Sequence, residues 1–318
     1  MKAVFLDFAT LGPDKLDTTV LLQLLPDLRF FEATDPTETA ARIKDAEFVL
    51  ANKTRLDERA LSGATALRYI GLTATGTDNV DLETAQKRNI AVTNIRAYCT
   101  RSVVEHVFGV LLNLTHNLGR YRRAVKEGDW RRSKDFCVLD YPIRELSAMT
   151  LGIVGYGALG RGVAETAGAF GMSTLVARRR GVPAADDGRI DFTELLQRSD
   201  VVSLHCPLTE ETKNLFGPAE FRLMKRDAIL INTARGGLVD SQALVEALRM
   251  GILRGAAIDV LREEPPLHGD PLLDYDGDNL TVTPHIAWAT VEARQNAIAE
   301  LAKNVAAFLE GRKRNRVA

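Results

Sequence analysis

Short apolar runs alternate with amphipathic stretches along the first hundred residues of the chain. The runs AVFLDF, LRFFEA, AEFVLAN and LRYIGLTA have the length and composition of buried strands. Helical patterns separate them, such as LDTTVLLQLL and the stretch after Pro36. Strands that alternate with helices form a mostly parallel sheet covered on both faces. The pattern therefore predicts a first α/β unit.

The same alternation resumes near residue 150 with the runs TLGIVGYG, STLVAR, VVSLHC, AILINTA, GAAIDV and LTVTPH. We therefore predict a second α/β unit. The chain has 318 residues, more than one hydrophobic core usually holds, which also favours two domains.

Two longer stretches have helical periodicity. Residues 102–126 carry an apolar stripe of Val103, Val107, Val110, Leu111, Leu114 and Leu118. Residues 290–309 carry one of Ala297, Ile298, Leu301, Val305 and Leu309. We expect each stretch to be one long helix.

Composition excludes several classes of protein. Apolar residues make up 46% and charged residues 26% of the chain, and the formal net charge is -1. That balance favours neither nucleic acid nor an anionic membrane as a partner, although the tail Arg312–Arg316 is locally basic. No apolar run reaches the roughly 18 residues that span a bilayer. The first run is broken by Asp7 and is too short for a signal peptide, so we expect a cytoplasmic protein.

The cysteines and histidines form no recognisable metal or disulfide pattern. Cys99, Cys137 and Cys206 are widely spaced and odd in number. His106 and His116 lie in a helical stretch without neighbouring ligands in a metal-binding spacing. We predict reduced thiols, structural histidines and no metal site.

A glycine loop joins a predicted strand to a predicted helix. Gly155, Gly157 and Gly160 form the sequence GYGALG between the strand LGIV and the helical run VAETAGAF. In that context the first glycine makes the turn, the second admits a pyrophosphate and the third packs the helix on the sheet. The N–H groups of Ala158 and Leu159 at the helix start would bind the phosphates.

The next strand ends in cationic residues. An NAD site has an Asp or Glu there, about 20 residues beyond the loop, that binds the ribose hydroxyls. In this chain Arg178, Arg179 and Arg180 follow STLVA. Guanidinium groups pair with a 2′-phosphate, so we predict that NADP(H) is preferred and that NAD(H) is possible. The alternative interpretation is a solvated basic turn.

Three polar residues follow other strands of the second unit. Arg235 lies in INTARGGLVD, Glu264 in DVLREEPP and His285 in VTPHIAW. A guanidinium holds a carboxylate through two parallel hydrogen bonds, and a histidine oriented by a carboxylate can deliver a proton. These groups would suit the reduction of a 2-oxo acid. Taken alone, His285 could instead be a hydrogen-bonded core residue.

Four sequence features occur in a fixed order along the chain: GYGALG, ARG, an Asp followed by a Glu before Pro, and PHIAW. With this order, the chain resembles the D-isomer-specific 2-hydroxyacid dehydrogenases over nearly its whole length. Within that family, four further segments resemble the glycerate dehydrogenase (hydroxypyruvate reductase) branch. They are KTRLD, ATGTDNVDL, SVVEHVFGVLL and FCVLDYPIREL. The resemblance implies two doubly wound parallel-sheet α/β domains with a substrate cleft between them. A flavodoxin-like substrate domain would comprise residues 1–98 and 290–318. A Rossmann domain would comprise residues 99–289, with an arm at about 100–145 that forms a homodimer.

The resemblance also implies roles for single residues. Glu264 rather than Glu263 would be the acid, because it precedes Pro265. Further cofactor contacts would come from His205, Cys206, Pro207, Thr233, Ala234 and Asp259, the last of these to the nicotinamide carboxamide. Substrate contacts would come from Asn52, Lys53, Ala74, Thr75, Gly76 and Trp288, together with Arg235 and His285.

The expected activity is NAD(P)H-dependent reduction of hydroxypyruvate or glyoxylate to D-glycerate or glycolate, with His285 as proton donor. A reductase of broader 2-oxo acid specificity and a phosphite dehydrogenase remain alternatives. Outside the enzymes, a dinucleotide-sensing binding protein of the corepressor type is the alternative.

Overall fold

The computed structural model describes residues 1–179, 181–182 and 187–318. It divides into two compact units, residues 1–99 with 288–318 and residues 100–287. The predicted boundaries fell after residues 98 and 289. Cys99, Trp288 and Ala289, which the prediction assigned to the second domain, therefore lie in the first unit.

The sheet of the first unit has five parallel strands in the order β2-β1-β3-β4-β5. Their bounds are Lys2–Phe5 (β1), Asp27–Phe30 (β2), Phe48–Ala51 (β3), Tyr69–Leu72 (β4) and Ala91–Thr93 (β5). This is the flavodoxin-like order. The sequence prediction located the first four strands and missed β5, which has only three residues.

The helices of the first unit are Thr19–Leu24 (α1), Thr39–Ile43 (α2), Glu58–Ser62 (α3), Leu82–Lys87 (α4) and Val291–Leu309 (α12). Thr290 is the N-cap of α12, and its hydroxyl accepts a hydrogen bond from the N–H of Ala293, as is usual for a capping threonine. It packs on β4, where a β-carbon on Gly71 would lie 2.6 Å from Leu301. The predicted stripe is buried except for Leu309, which is exposed at the end of the helix.

The second unit has six strands among its described residues, in the order β11-β10-β9-β8-β6-β7. Their bounds are Thr150–Val154 (β6), Ser173–Val176 (β7), Val201–Leu204 (β8), Ile229–Asn232 (β9), Gly255–Ile258 (β10) and Leu280–Val282 (β11). All of their pairings are parallel. Beyond β7, Ile190 forms one parallel bridge with Ala177. That bridge lies where a Rossmann sheet has its third strand, so the predicted α/β architecture of two doubly wound parallel sheets is confirmed.

The helices of the second unit are Thr100–His116 (α5), Leu118–Glu127 (α6), Asp129–Arg132 (α7), Ala158–Ala169 (α8), Phe192–Arg198 (α9), Pro218–Leu223 (α10) and Ser241–Arg249 (α11). Within the described range, no helix of the chain is both long enough and apolar enough to cross a membrane.

Residues 102–126 are helical, as predicted, but they form two helices rather than one continuous helix. Asn117 has a left-handed backbone with φ of 52° and separates α5 from α6. Asn tolerates that conformation, and its side chain donates to the carbonyl of Pro142 at 2.7 Å. Because the helix direction changes there, Leu118 is exposed, whereas the five apolar residues before it are buried.

Candidate active site

Arg235, Glu264 and His285 follow three adjacent strands of the second unit. Arg235 comes after β9, Glu264 after β10 and His285 after β11, and β10 pairs with both neighbours. Parallel strands end at the same edge of a sheet, and open α/β sheets bind ligands at that edge.

His285 and Glu264 form a hydrogen-bonded pair. The Nδ1 atom of His285 lies 2.6 Å from Oε2 of Glu264. The other carboxylate oxygen of Glu264 accepts the N–H of Leu261 at 2.8 Å, which fixes the carboxylate relative to the end of β10. The neighbouring Glu263 pairs with His268 at 2.8 Å instead. The geometry therefore distinguishes the two adjacent glutamates.

The turn that carries His285 is held by Asp259, which is only 2% exposed. His285 has a left-handed backbone, with φ of 54°, a conformation that needs support from its surroundings. The Asp259 carboxylate accepts the hydroxyl of Thr283 at 2.5 Å and the N–H groups of Ile286 and Ala287 at 2.9 Å each. Its carbonyl accepts the N–H of His285 at 2.8 Å. The predicted contact of Asp259 with nicotinamide stays a prediction beside this structural role.

His106 on α5 reinforces the same turn. Its Nε2 lies 3.2 Å from the hydroxyl of Thr283 and 3.8 Å from the Asp259 carboxylate.

The turn that carries Arg235 is fixed by a buried asparagine and a glycine. Asn232 accepts the N–H of Ala234 at 3.0 Å and donates to the carbonyl of Arg235 at 2.9 Å. A guanidinium nitrogen of Arg235 contacts the carbonyl of Ala234 at 2.8 Å. Gly236 packs directly on the backbone of Leu261, which brings the Arg235 turn against the segment leading to Glu264.

The glycine loop has the shape of a phosphate cradle. Gly155 has φ of 97°, and a β-carbon on Gly160 would overlap the Gly155 carbonyl at 2.1 Å. A β-carbon on Gly157 would meet nothing within 4 Å, so open space lies above the loop. Ala158 and Leu159 form the start of α8, where unpaired N–H groups favour an anion. These features fit a dinucleotide.

The end of β8 packs against this loop, because a β-carbon on Gly155 would lie 2.5 Å from the N atom of Cys206. Burial lowers the pKa of His205 to about 4 and raises the pKa of the Cys206 thiol to about 11. In the described part of the chain, Nδ1 of His205 and the hydroxyl of Thr233 are buried without a hydrogen-bond partner. Such orphaned groups are rare unless something binds them.

Pro207 follows Cys206 directly, and its carbonyl accepts a hydrogen bond from the hydroxyl of Thr212 at 2.8 Å.

Arg178 and Arg179 lie at the end of β7. Arg178 donates to the carbonyl of Arg189 at 2.7 Å, and Arg179 forms an exposed ion pair with Glu211 at 3.2 Å. Arg180 lies outside the described residues.

The other predicted substrate residues lie in the first unit. Asn52 and Lys53 directly follow β3, and Ala74, Thr75 and Gly76 lie in the loop after β4. The hydroxyl of Thr75 donates to the carbonyl of Ile95 at 2.8 Å. The ring of Trp288 packs edge-on against Tyr98, with centroids 6.3 Å apart.

Sequence reasoning missed the supporting residues. Asn232, Gly236 and the role of Asp259 within its own chain emerge only from the contacts described above. Their position at or shortly after the ends of buried strands was the available signal.

The second unit is thus a dinucleotide-binding α/β domain that carries a histidine–carboxylate pair and an arginine at the carboxyl edge of its sheet. A family model described as the NAD binding domain of D-isomer specific 2-hydroxyacid dehydrogenases matches residues 108–287. The chain belongs to the D-isomer specific 2-hydroxyacid dehydrogenases, and the predicted resemblance is confirmed. Its cofactor is a nicotinamide dinucleotide.

Individual relatives extend this match to the whole chain. Glycerate dehydrogenase of Methylorubrum extorquens is 44% identical over 316 residues, which cover 99% of this chain and 98% of that protein. Hydroxypyruvate reductase of Blautia hydrogenotrophica is 36% identical over 317 residues, which cover 98% of both. The crystal structure of D-lactate dehydrogenase from Aquifex aeolicus with NAD and lactic acid has a TM-score of 0.82 and 32% identity, with 98% of this chain and 96% of that chain covered.

Proposed function

We propose that this protein reduces hydroxypyruvate or glyoxylate to D-glycerate or glycolate, with His285 as the proton donor and NADPH as the preferred cofactor. The observation that carries the proposal is the His285–Glu264 pair, held at the sheet edge that also bears Arg235. A hydride-transfer site needs an acid where negative charge develops on the substrate oxygen.

Each side chain has a task that follows from its geometry. Glu264 fixes the imidazole through Nδ1, which leaves Nε2 as the atom that passes a proton to the keto oxygen. Arg235 binds the substrate carboxylate and polarises the keto group. The nicotinamide dinucleotide, when bound, supplies the hydride. We assign the dinucleotide to the glycine loop, with Arg178 and Arg179 on the adenosine side and His205, Cys206, Pro207, Thr233, Ala234 and Asp259 beside it.

The preference for NADPH rests on charge. The end of β7 carries Arg178 and Arg179 where an NAD site carries a carboxylate. A guanidinium attracts a 2′-phosphate, whereas a carboxylate repels it.

The substrate class rests on the relatives. One is named glycerate dehydrogenase and another hydroxypyruvate reductase, and oxidation of glycerate at C2 yields hydroxypyruvate. We assign substrate contacts in the first unit to Asn52, Lys53, Ala74, Thr75, Gly76 and Trp288.

A homodimer is part of the proposal. The segment from Trp130 to Ile143 exposes a series of large apolar side chains, with Phe136 92% and Leu139 75% exposed. Contiguous exposed apolar surface marks an interaction site. We propose that this arm packs against a second copy of the chain.

The test is oxidation of NADPH and NADH with a panel of hydroxypyruvate, glyoxylate, pyruvate and phenylpyruvate, followed by the same assay on His285→Asn. We expect the highest kcat/KM with hydroxypyruvate or glyoxylate. The variant should lose on the order of 10²–10⁴-fold in kcat, the usual contribution of a general acid, and keep its dinucleotide affinity.

Three results would count against the proposal. Dinucleotide binding without turnover of any oxo acid would favour the sensing role. Equal activity across the panel would favour a broad reductase. Loss of dinucleotide binding in His285→Asn would make this histidine structural.

A further inference from the structure

Asp7 is a buried carboxylate with no catalytic assignment. It lies two residues after the end of β1 and is 4% exposed. Its Oδ1 accepts the N–H of Asn52 at 2.8 Å, and its Oδ2 accepts the N–H groups of Lys53 and Thr54 at 2.6 and 2.7 Å. Three consecutive backbone donors therefore converge on one side chain.

Asn79 holds the carbonyl groups of the same three-residue loop. Its amide nitrogen donates to the carbonyl of Thr54 at 3.0 Å and to that of Asn52 at 3.5 Å. Asn79 lies in the segment between β4 and α4, and its own carbonyl accepts the N–H of Leu56 at 2.7 Å. The Asn52–Thr54 loop is therefore bonded through its N–H groups by Asp7 and through its carbonyls by Asn79.

A third contact fixes the side chain of Asn52. Its amide donates to the hydroxyl of Thr10 at 3.0 Å, and that hydroxyl donates to the carbonyl of Asp7 at 2.7 Å. The backbone and the Asn52 side chain are thus both tied to the segment after β1. Lys53 in the same loop is exposed.

Only a carboxylate suits the position of Asp7. Its two oxygens accept from three donors, and bonds from N–H groups to an ionised acceptor are the stronger kind. An asparagine there would turn one oxygen into a donor that faces an N–H group. A buried backbone N–H without an acceptor is costly, so the loop would shift.

We propose that Asp7 and Asn79 are positioning residues that set the geometry of the Asn52–Thr54 loop toward the carboxylate of a 2-oxo acid substrate. The inference rests on the proposed function, in which Asn52 and Lys53 contact that substrate. Asp7 and Asn79 act through the loop and do not touch the reacting atoms.

The experiment compares Asp7→Asn with Asp35→Asn in the full chain. Asp35 is a matched control in the same unit, because its carboxylate accepts the N–H and hydroxyl of Thr37 in an exposed turn. The measurements are KM and kcat for hydroxypyruvate and glyoxylate, the Kd for NADPH from its fluorescence, and the thermal midpoint.

Asp7→Asn should raise the oxo acid KM about tenfold or more and change kcat by less than about threefold, because a displaced binding loop weakens ground-state and transition-state binding alike. The NADPH Kd should stay within about twofold of the unaltered protein, because the dinucleotide is assigned to the other unit. Asp35→Asn should leave KM unchanged.

Asn79→Ala provides a second variant that does not disturb the buried carboxylate. It should raise the same KM, and the double variant Asp7→Asn with Asn79→Ala should raise it by less than the product of the single effects, because both residues hold one loop. If Asp7→Asn does not fold, the KM of Asn79→Ala alone decides whether the contacts to the Asn52–Thr54 loop position it for substrate binding.

The outcomes separate the two proposals. Absence of oxo acid turnover in the unaltered protein would refute the proposed function. Turnover in the unaltered protein, with KM in Asp7→Asn and Asn79→Ala equal to that of Asp35→Asn, would refute the positioning role alone. A lowered thermal midpoint with unchanged KM would also refute it, because a purely structural residue behaves in that way.

Discussion

A β-carbon on Gly236 would lie 2.0 Å from the carbonyl carbon of Leu261. No real side chain tolerates that separation, so the backbones of the Arg235 turn and of the segment before Glu264 touch because residue 236 is glycine. The contact positions two catalytic candidates from different strands relative to each other.

Gly236→Ala should therefore reduce kcat/KM by about 100-fold or prevent folding of the second unit, because the obstacle is backbone and cannot move aside. Gly237→Ala is the matched control. There the added carbon meets the end of the Leu208 side chain at 2.9 Å, and a leucine can change its rotamer. Steady-state kinetics and thermal unfolding of both variants check the prediction, and equal effects at the two glycines would contradict it.

The pH dependence of stability should reveal His205. Burial lowers its pKa from 6.5 to about 4, so the folded state disfavours the charged ring. The stabilising effect of keeping this ring neutral is fully present above pH 6.5, and it is lost as the pH falls from 6.5 toward 4. When the pH is lowered from 7 to 5, this histidine alone should lower the free energy of unfolding by about 2 kcal/mol.

Urea unfolding at pH 7 and pH 5 gives the loss of stability on acidification for the unaltered protein and for His205→Gln. The difference between the two losses is the contribution of His205, because glutamine cannot gain the proton. His268→Gln removes an exposed histidine and serves as the control. The prediction fails if His205→Gln loses as much stability on acidification as the unaltered protein.

Arg178→Asp tests the preference for NADPH. The ratio of kcat/KM for NADPH to that for NADH should fall by about tenfold or more, because a charge-assisted contact to the 2′-phosphate is replaced by repulsion. Arg222→Asp on α10 makes the same change in net charge in the same unit and should leave the ratio unaltered. Preference for NADH in the unaltered enzyme would overturn the charge argument.

Leu139→Asp tests the arm. A buried aspartate in an apolar interface is strongly unfavourable, so sedimentation velocity should show a shift from dimer to monomer. Met250→Asp changes an apolar residue that is 72% exposed at the end of α11 and should leave the dimer intact. A monomer in the unaltered protein would rule out the arm as a self-association surface.

The sequence located most of the strands and the order of the functional segments, because burial on both faces produces continuous apolar runs that can be recognised locally. It missed β5, which has three residues. It also extended α5 through Asn117, because the left-handed backbone of one asparagine leaves no mark on the apolar periodicity. The GYGALG loop was recognisable because its three glycines and the flanking strand and helix are contiguous.

By itself, the sequence determined two α/β units, a nucleotide loop in the second, and polar residues placed directly after strands. Only the tertiary structure decided that Asp259 supports the histidine turn, and that Asp7 accepts three N–H groups from a loop 45 residues or more away. The physical reason is that backbone donors and acceptors are identical at every position. Which carboxylate accepts from a given group of N–H donors depends on which segments the fold of each unit brings into contact. A local sequence pattern carries no information about those contacts.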